Sequence, residues 1–355
     1  MLSYVKSALD ESMNLKELSE KLGISQTTVS RALGGYPEVS ETTRQSIEAA
    51  AQRYGYFPNR RAAGLATGRS NMIGHILPKS TQHEMVNPIF GDFVAGAVET
   101  YSSRGFEMFL SQVSDQDEGA TYRRLLQTAV VDGVIVQGPR ANDPRIQTLT
   151  EMGLPFAVHG RSSGVNVPYN WVDVNNKSSF LRATEFLLDL GHRRIALING
   201  FEDMDFAMRR RNGYIAGLQN RGIEIDPSIM KSQEMTEIYG YHQTRDMLTS
   251  DNPPTAILVS SLISAIGVRR AIEEAGLTMG KDVSVITHDD ELSYLRNGET
   301  VPIFTATRSS VRDAGKHVAN ILIDQIENPN SLPQTQLLEA QLVVGRSTGP
   351  APGSK

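Results

Sequence analysis

The first fifty residues carry apolar positions at the three- and four-residue spacing that is typical of short helices. One helix is predicted where three leucines share a face, namely Leu15, Leu18 and Leu22. Asn14 and Glu17 are spaced as a capping box at its start. Gly23 ends it, because glycine tolerates a left-handed backbone.

A second helix is predicted in the stretch ISQTTVSRALGG at 24–35, with Ser25 as its cap and Val29 and Leu33 turned inward. Its outward side chains are polar, namely Gln26, Thr27, Ser30 and Arg31. Ser40 caps a third helix, whose apolar positions are Ile47, Ala50 and Ala51. This arrangement is typical of a helix-turn-helix. Taken alone, however, the second helix fits an ordinary surface helix equally well.

From residue 72 onward, apolar strand-like runs alternate with amphipathic helical stretches. Strands are predicted in MIGHIL, FEMFLS, DGVIVQ, LPFAVHG, RRIALING, TAILVS and VSVITHDD. Helices are predicted over 90–104, 119–131, 176–190, 208–221, 238–250 and 262–275. The alternation predicts parallel sheets with right-handed crossovers. Because the strands are too many for one sheet of ordinary size, we expect two α/β lobes.

The pattern also predicts where the domains begin and end. We expect a helix-turn-helix domain at 14–57, a hinge helix or linker at 58–70 and a two-lobed domain at 71–346. Residues 1–13 are expected to be an N-terminal extension, which is either disordered or precedes a translation start at Met13. Residues 347–355, STGPAPGSK, are expected to form a disordered tail. The N-lobe is expected at about 71–170 and 308–335, and the C-lobe at about 171–305 and 336–346.

Composition predicts a cellular compartment and shows a difference in net charge between two parts of the chain. The chain has 355 residues and no cysteine, which excludes disulfides, thiol nucleophiles and cysteine-ligated metal sites. It contains neither an apolar run of membrane-spanning length nor the apolar core of a signal peptide, so a cytoplasmic location is expected. The net charge is −5, but residues 1–69 carry +2 and the remainder −7. A basic head on an acidic body fits a DNA-binding domain joined to another domain, although chance explains so small a difference equally well.

Together these motifs resemble the LacI/GalR family of bacterial transcription regulators over about residues 14–346. The strongest matches are LSEKLGISQTTVSRAL and VSETTRQSIEAAAQRYGYFPNRRAAGLATG, and further matches are NPIF at 87–90, DVNN at 173–176, LGHRRIALING at 190–200, RRNGY at 210–214 and VSVITHDD at 283–290. The resemblance implies a helix-turn-helix headpiece and hinge helix, followed by a two-lobed α/β core like that of periplasmic binding proteins. It also implies a homodimer that binds double-stranded operator DNA under the control of a small-molecule effector.

The resemblance assigns DNA-contacting roles in the headpiece and hinge. Family members read base edges with the first two residues of the recognition helix and a later arginine, which are here Gln26, Thr27 and Arg31. Glutamine suits adenine, and arginine suits guanine. Phosphate contacts are expected from Ser25, Ser30, Ser40 and Thr42. Hinge contacts are expected from Tyr56, Asn59, Arg60, Ala62 and Leu65. Leu65 matches the family leucine that is wedged between base steps, with packing on the core as the alternative.

The resemblance places the effector between the lobes. Arg210 matches the family's effector clamp and is flanked by Arg209 and Arg211; the alternative is that one or two of these three arginines are simply solvated. The other expected contacts are Glu84, Asn87, Trp171, Asp173, Asn175, Ser261 and Asp289. Trp171 suits stacking on a sugar face or simple packing at the lobe boundary. Glu84 lies in an insert, 78–86, that is also compatible with a surface loop. Ser261 stands where many relatives carry an asparagine, so one common sugar contact is changed.

No GxSxG, HExxH or phosphate-cradling glycine motif is present, so no enzymatic activity, cofactor or metal is expected. His288, Asp289 and Asp290 allow an acid–base cluster, but a ligand contact is the simpler interpretation. The sequence therefore predicts a repressor of a carbohydrate-utilisation operon, of a rhizobial type, with a neutral mono- or disaccharide as effector and a leaning to α-glucosides. The alternatives are a cytoplasmic sugar-binding protein and a regulator with a non-sugar effector such as a nucleobase.

Overall fold

Among the described residues, the N-terminal part of the chain contains the short helices α1 (Leu15–Leu22), α2 (Gln26–Leu33) and α3 (Glu41–Arg53). The computed structural model describes residues 13–34, 36–56, 68–78, 84–114, 117–288 and 291–353. The chain divides after Ser70 into two units, each with its own internal contacts. The first unit is called the headpiece and the second the core domain below.

Side-chain caps fix the ends of the headpiece helices, as the sequence predicts. Asn14 and Glu17 exchange both hydrogen bonds of the capping box at the start of α1. Gly23 follows α1 with a φ of 64°, in the left-handed region. The hydroxyls of Ser25 and Ser40 accept backbone N–H groups at the starts of α2 and α3. The turn between α1 and α2 is therefore specified locally.

The headpiece helices pack around one small apolar cluster. Its buried members are Leu18, Val29, Ala32, Val39, Ile47, Ala51 and Tyr56. Helix α2 contributes Val29 and Ala32 and leaves its polar side chains exposed on the opposite face. The inward and outward assignment made from the sequence is thereby confirmed for this helix.

Strands and helices alternate through the core domain. Its strands are β1 (Met72–Pro78), β2 (Glu107–Val113), β3 (Gly133–Gln137), β4 (Phe156–His159), β5 (Asn170–Val174), β6 (Ile195–Asn199), β7 (Met230–Ser232), β8 (Ala256–Val259), β9 (Ser284–His288), β10 (Thr305–Arg308), β11 (Thr335–Leu338) and β12 (Gln341–Val343). Its α-helices are α4 (Pro88–Ser103), α5 (Glu118–Gln127), α6 (Pro144–Met152), α7 (Asn176–Asp189), α8 (Asp205–Asn220), α9 (Glu237–Leu248), α10 (Leu262–Glu274) and α11 (Val311–Glu327). None of the described helices combines the length and the apolar character required to cross a bilayer.

The strands form one sheet in each lobe, which confirms the two-lobed α/β prediction. The N-lobe sheet has the order β11-β5-β4-β3-β1-β2, and the C-lobe sheet has the order β12-β10-β9-β8-β6-β7. Neighbouring strands are parallel except for β10 and β12. Apolar clusters cover both faces of each sheet, which explains the continuous apolar runs of the central strands.

The chain passes between the lobes at 174–176, 308–311 and 338–341. Two of these crossings lie beyond the expected boundaries at 170 and 335. The reason is that β5 pairs with β4, and β11 pairs with β5, so that both strands complete the N-lobe sheet. The antiparallel strand β12 then completes the C-lobe sheet.

The expected disorder of residues 347–355 is wrong for the part that the structure describes, 347–353. Ser347 is completely buried, and its hydroxyl donates to the Val285 carbonyl and accepts the Thr305 N–H. The Gly349 carbonyl accepts a hydrogen bond from His192. The low apolar content suggested disorder, but these residues satisfy polar groups at the starts of β9 and β10 in the C-lobe sheet.

Glycines allow helix pairs in the core domain to approach closely. A Cβ atom at Gly267 of α10 would overlap the carbonyl oxygen of Glu237 in α9, and one at Gly240 of α9 would overlap the carbonyl of Ser264 in α10. The same kind of contact joins Gly213 of α8 to Lys177 of α7. Any side chain at these positions would push the backbones of the two packed helices apart.

Gly267→Ala is expected to destabilise the core domain by about 2 kcal/mol, because overpacking at a backbone contact forces the two helices apart. Chemical denaturation followed by circular dichroism measures this change. Gly119→Ala is the matched control, because Gly119 lies in α5 and the nearest atom to its Cβ position is the end of the flexible Arg123 side chain, at 3.9 Å. The control should stabilise the protein by about 0.5–1 kcal/mol. Equal effects of the two substitutions would contradict the packing argument.

Candidate functional site

The exposed face of α2 carries the side chains that the sequence assigns to base recognition. Gln26, Thr27 and Arg31 are all exposed on it. A shallow groove beside them is lined by Leu15, Gln26, Thr27, Ser30, Arg31 and Tyr36. Tyr36 was not predicted as part of this surface. The groove offers amide, hydroxyl and guanidinium groups, which suit the edges and backbone of a nucleic acid.

The predicted phosphate contacts lie at the starts of two helices. Ser25 and Ser40 are exposed, and besides capping their helices each shares a hydrogen bond with a threonine hydroxyl, Thr28 and Thr43 respectively. Thr42 is exposed on the first turn of α3. Hydroxyls at helix N-termini are suited to phosphate oxygens, because the terminal N–H groups point the same way.

The hinge predictions fall mostly outside the described residues. This applies to Asn59, Arg60, Ala62 and Leu65. Tyr56 is described, and it is buried in the headpiece cluster rather than exposed with the other DNA-contacting candidates. Burial raises the pKa of its hydroxyl. Tyr56 is therefore a packing residue at the end of the headpiece.

Arg210 is a buried arginine at the junction of the lobes. Its Nε donates to the Asn176 side-chain oxygen at 2.7 Å, and its Nη1 donates to the Ser260 carbonyl at 2.7 Å. The guanidinium lies 4.8 Å from the ring centre of Phe206 and 5.4 Å from that of Phe180. A buried guanidinium charge costs free energy unless hydrogen-bond acceptors and aromatic rings surround it, as they do here. The predicted clamp arginine is thus held rigidly by its surroundings.

Asn176 connects this arginine to the N-lobe sheet. Its side-chain nitrogen donates to Asp173 of β5 at 3.3 Å. Asp173 also accepts a 2.8 Å hydrogen bond from Arg161, which follows β4. Burial raises the pKa of Asp173, while Arg161 opposes that shift. Arg161, Asp173, Asn176 and Arg210 therefore form a continuous polar chain from one lobe to the other. Sequence reasoning chose Asp173 and Arg210 but missed Asn176, which links them, and Arg161, which pairs with Asp173.

Trp171 packs against the N-lobe core, beneath the guanidinium of Arg161 at 5.4 Å from the ring centre. This placement corresponds to ordinary packing. Phe206 of α8, which was not predicted, is the half-buried aromatic ring next to Arg210. Between these two rings, Phe206 is the better candidate for stacking on a bound molecule.

Three other candidates cap helices at the lobe junction. Asn87, Asn175 and Ser261 each accept a backbone N–H at the start of α4, α7 and α10 respectively. Ser261 is completely buried, so its hydroxyl serves the helix start. The backbone of Glu84 lies in the short 3-10 helix Glu84–Val86. Asp289 lies outside the described residues.

His288 is completely buried at the end of β9, with Nδ1 2.7 Å from the Thr307 hydroxyl. Burial and the nearby charge of Arg210 lower the pKa of His288 well below its usual value. The imidazole is therefore neutral at physiological pH. In the described part of the chain, no group of histidine, aspartate and glutamate side chains is arranged to hold a metal ion.

A buried carboxylate fastens the lobes beside Arg210. Asp205, at the start of α8, is completely buried and accepts the backbone N–H of Ser163 from the N-lobe. Arg209 pairs with Asp205 and also donates to the Ser163 hydroxyl at 2.7 Å. Arg209 is therefore a structural partner, whereas Arg211 is partly exposed and pairs with Glu202. We call this contact of Ser163, Asp205 and Arg209 the lobe latch.

A second contact joins the lobes at α4. Asp92 is buried, and its carboxylate accepts the backbone N–H of Ser293 at 2.7 Å and the Ser293 hydroxyl. Ile89 of the same helix packs against apolar clusters of both lobes. The relative orientation of the lobes therefore depends on side chains on both sides of the polar chain.

Comparisons with known proteins agree with this arrangement. Residues 14–59 match the bacterial regulatory proteins of the lacI family, and residues 184–348 match the periplasmic binding protein-like domain. The chain is 45% identical to the HTH-type transcriptional regulator AglR of Rhizobium meliloti strain 1021 over 341 residues, 96% of this chain and 95% of AglR.

Solved structures of similar regulators cover both units of the chain. A complex of the transcriptional regulator CelR with cellobiose is similar with a TM-score of 0.70 and 28% identity, covering 94% of this chain and 99% of that one. The lac repressor dimer bound to operator and the anti-inducer ONPF is similar with a TM-score of 0.79 and 26% identity, covering 95% and 99%. With a headpiece, a two-lobed core and these relatives, the chain belongs to the LacI family of bacterial transcriptional regulators.

Proposed function

We propose that the protein is a dimeric, cytoplasmic repressor of a carbohydrate-utilisation operon, without enzymatic activity, which binds a palindromic operator and responds to a small sugar between its lobes. The observation that carries the effector assignment is the polar chain of Arg161, Asp173, Asn176 and Arg210, with Phe206 beside it. Rigid guanidinium, amide and carboxylate groups next to an aromatic ring suit the hydroxyls and apolar face of a sugar.

The relatives support this proposal. CelR is described in complex with cellobiose, and the lac repressor as a dimer on its operator. Among sugars, we propose a neutral mono- or disaccharide, with α-glucosides as the first class to test. The carboxylate of Asp173 accompanies the arginines of the polar chain, and that of Asp205 pairs with Arg209 in the lobe latch, which favours a neutral ligand over an anionic one.

The proposed mechanism couples the sugar to DNA through the orientation of the lobes. A ligand that binds one orientation more tightly shifts the population toward it. Asn176 and Arg210 tie the N-lobe sheet to α8, so a sugar that contacts them acts where the lobes meet. Residues 58–67, which lie between headpiece and core in the sequence, would transmit the change. Such coupling is typically worth about 1–3 kcal/mol.

Arg31→Ala is expected to weaken binding to the preferred duplex by about 10- to 100-fold, because a bidentate arginine–guanine contact contributes about 1–3 kcal/mol. A duplex selected from a random library by the full chain serves as the probe in gel-shift titrations. Arg53→Ala is the control, because Arg53 is an exposed arginine at the end of α3 whose described contact is with Tyr54. Affinity should also fall steeply with salt. Equal losses in both variants would contradict base recognition by Arg31.

Binding of a sugar should raise the melting temperature of the wild-type protein in a screen of mono- and disaccharides, since a ligand at about 100 times its Kd adds about 2.7 kcal/mol of stability. Arg210→Lys should lose most of this rise in melting temperature, because a single lysine nitrogen cannot replace the two guanidinium nitrogens that bind Asn176 and the Ser260 carbonyl. Arg211→Lys is the neighbouring control and should keep it. Stabilisation by a nucleobase or amino acid, and by no sugar, would contradict the proposed effector class.

Asp205→Asn tests the role of the lobe latch. Removing a buried charge that pairs with Arg209 should destabilise the core domain by about 3 kcal/mol and weaken the sugar affinity by about tenfold, measured by calorimetric titration. The control is Asp203→Asn, two residues before Asp205, which removes an exposed ion pair to Arg140 of the N-lobe and should change both quantities little. If Asp205→Asn leaves the sugar affinity unchanged, the latch does not participate in effector binding.

A further inference from the structure

An ion pair links the recognition helix to the loop that follows it. The Nη1 atom of Arg31 lies 3.6 Å from the Oε1 atom of Glu38, and the two side chains are 52% and 48% exposed. An ion pair this exposed contributes little to folding. Its position suggests another role, because Arg31 is one of the predicted base-reading side chains. The Glu38 carboxylate also lies beside the face of α2 that is predicted to approach the phosphates of DNA.

The backbone around Glu38 is fixed. The Tyr36 N–H donates to the Arg31 carbonyl at 3.0 Å, and the Val39 N–H donates to the Tyr36 carbonyl at 3.2 Å, which closes a turn with Pro37 at its second position. Arg44 of α3 also donates to the Tyr36 carbonyl at 3.0 Å. Val39 is buried in the headpiece cluster. The carboxylate of Glu38 is therefore presented from a rigid turn.

The other acidic residues that pair in the headpiece have different partners. Glu17 belongs to the capping box of α1, Glu20 pairs with Lys16 on the same helix, and Glu41 contacts Gln45 and Arg44. Among the contacts of the described headpiece residues, Glu38 is the acid that reaches a predicted base-reading side chain. The negative charge is thus placed where it can act on Arg31 in particular.

We propose that Glu38 is a positioning residue for Arg31 and thereby a determinant of operator specificity. This inference rests on the proposed base-reading role of Arg31. A free arginine side chain has many rotamers, and the attraction of the Glu38 carboxylate at 3.6 Å favours those that keep the guanidinium near it before DNA arrives. A restricted guanidinium favours the O6 and N7 atoms of guanine over alternative contacts. The carboxylate also lowers non-specific affinity, because it repels phosphates.

The test measures discrimination, defined as the ratio of affinities for a duplex selected by the full chain and for its single-base-pair variants. Glu38→Gln should lower discrimination at one base pair of each half-site by about tenfold and raise affinity for a scrambled duplex a few-fold. Glu20→Gln is the control: it removes the same charge and an exposed ion pair, and it should retain full discrimination. Glu38→Asp keeps the charge but shortens the reach, so it should lose discrimination without the gain in non-specific affinity.

Arg31→Met separates this proposal from the underlying function. If Arg31 reads a base, Arg31→Met loses discrimination at that base pair, and adding Glu38→Gln to it changes non-specific affinity alone. Full discrimination in Glu38→Gln, with loss in Arg31→Met, would overturn the positioning role and leave base reading intact. Full discrimination in Arg31→Met would overturn the base-reading role itself. Melting curves of each variant, matched to wild type, exclude a folding defect as the cause.

Discussion

The need to satisfy the buried charge of Arg210 shapes the junction between the lobes. An arginine remains protonated at any physiological pH, so its burial is tolerated only with partners. Those partners are Asn176, the Ser260 carbonyl and two aromatic rings. Because Asn176 also binds Asp173 in the N-lobe sheet, the same hydrogen bonds that stabilise the charge define how the lobes meet. A molecule that competes for these groups necessarily acts on the lobe junction.

Local signals made the headpiece and most strands and helices predictable from the sequence. Caps such as Asn14 and Ser25 act within three residues, and the apolar runs report burial directly. Contacts between residues that lie far apart in the sequence could not be predicted from such local signals. Ser347 looks like a residue of a flexible tail until Val285 and Thr305 are brought beside it. The same limit explains the strands that were not predicted, namely β5, β7, β10, β11 and β12. The helices α6 and α11 were also not predicted, although the side chains of Asp143 and Ser310 cap them locally.

The residues of the candidate sites divide in the same way, into those that local sequence motifs revealed and those that depend on contacts between distant parts of the chain. Arg31 and Arg210 stand in recognisable motifs, so their positions were found from the sequence. Asp205 was missed, because its spacing to Arg209 suggests an ordinary surface pair on a helix, whereas the structure buries it against the backbone of Ser163. For Trp171 the sequence left stacking on a sugar and ordinary packing equally open, and the structure packs the ring against the N-lobe core. Burial, which decides both cases, depends on contacts from distant parts of the chain.

The late position of β11 and β12 in the chain has a consequence for synthesis on the ribosome. Among the described residues, the apolar cluster of the headpiece is formed within residues 13–56, so these helices are able to pack together before the core domain has been translated. Each core sheet, in contrast, lacks an edge strand until residues 335–343 have been translated. The nascent chain therefore carries a folded DNA-binding head before its sensing domain is complete. Interrupted translation would leave the head without the domain that regulates it.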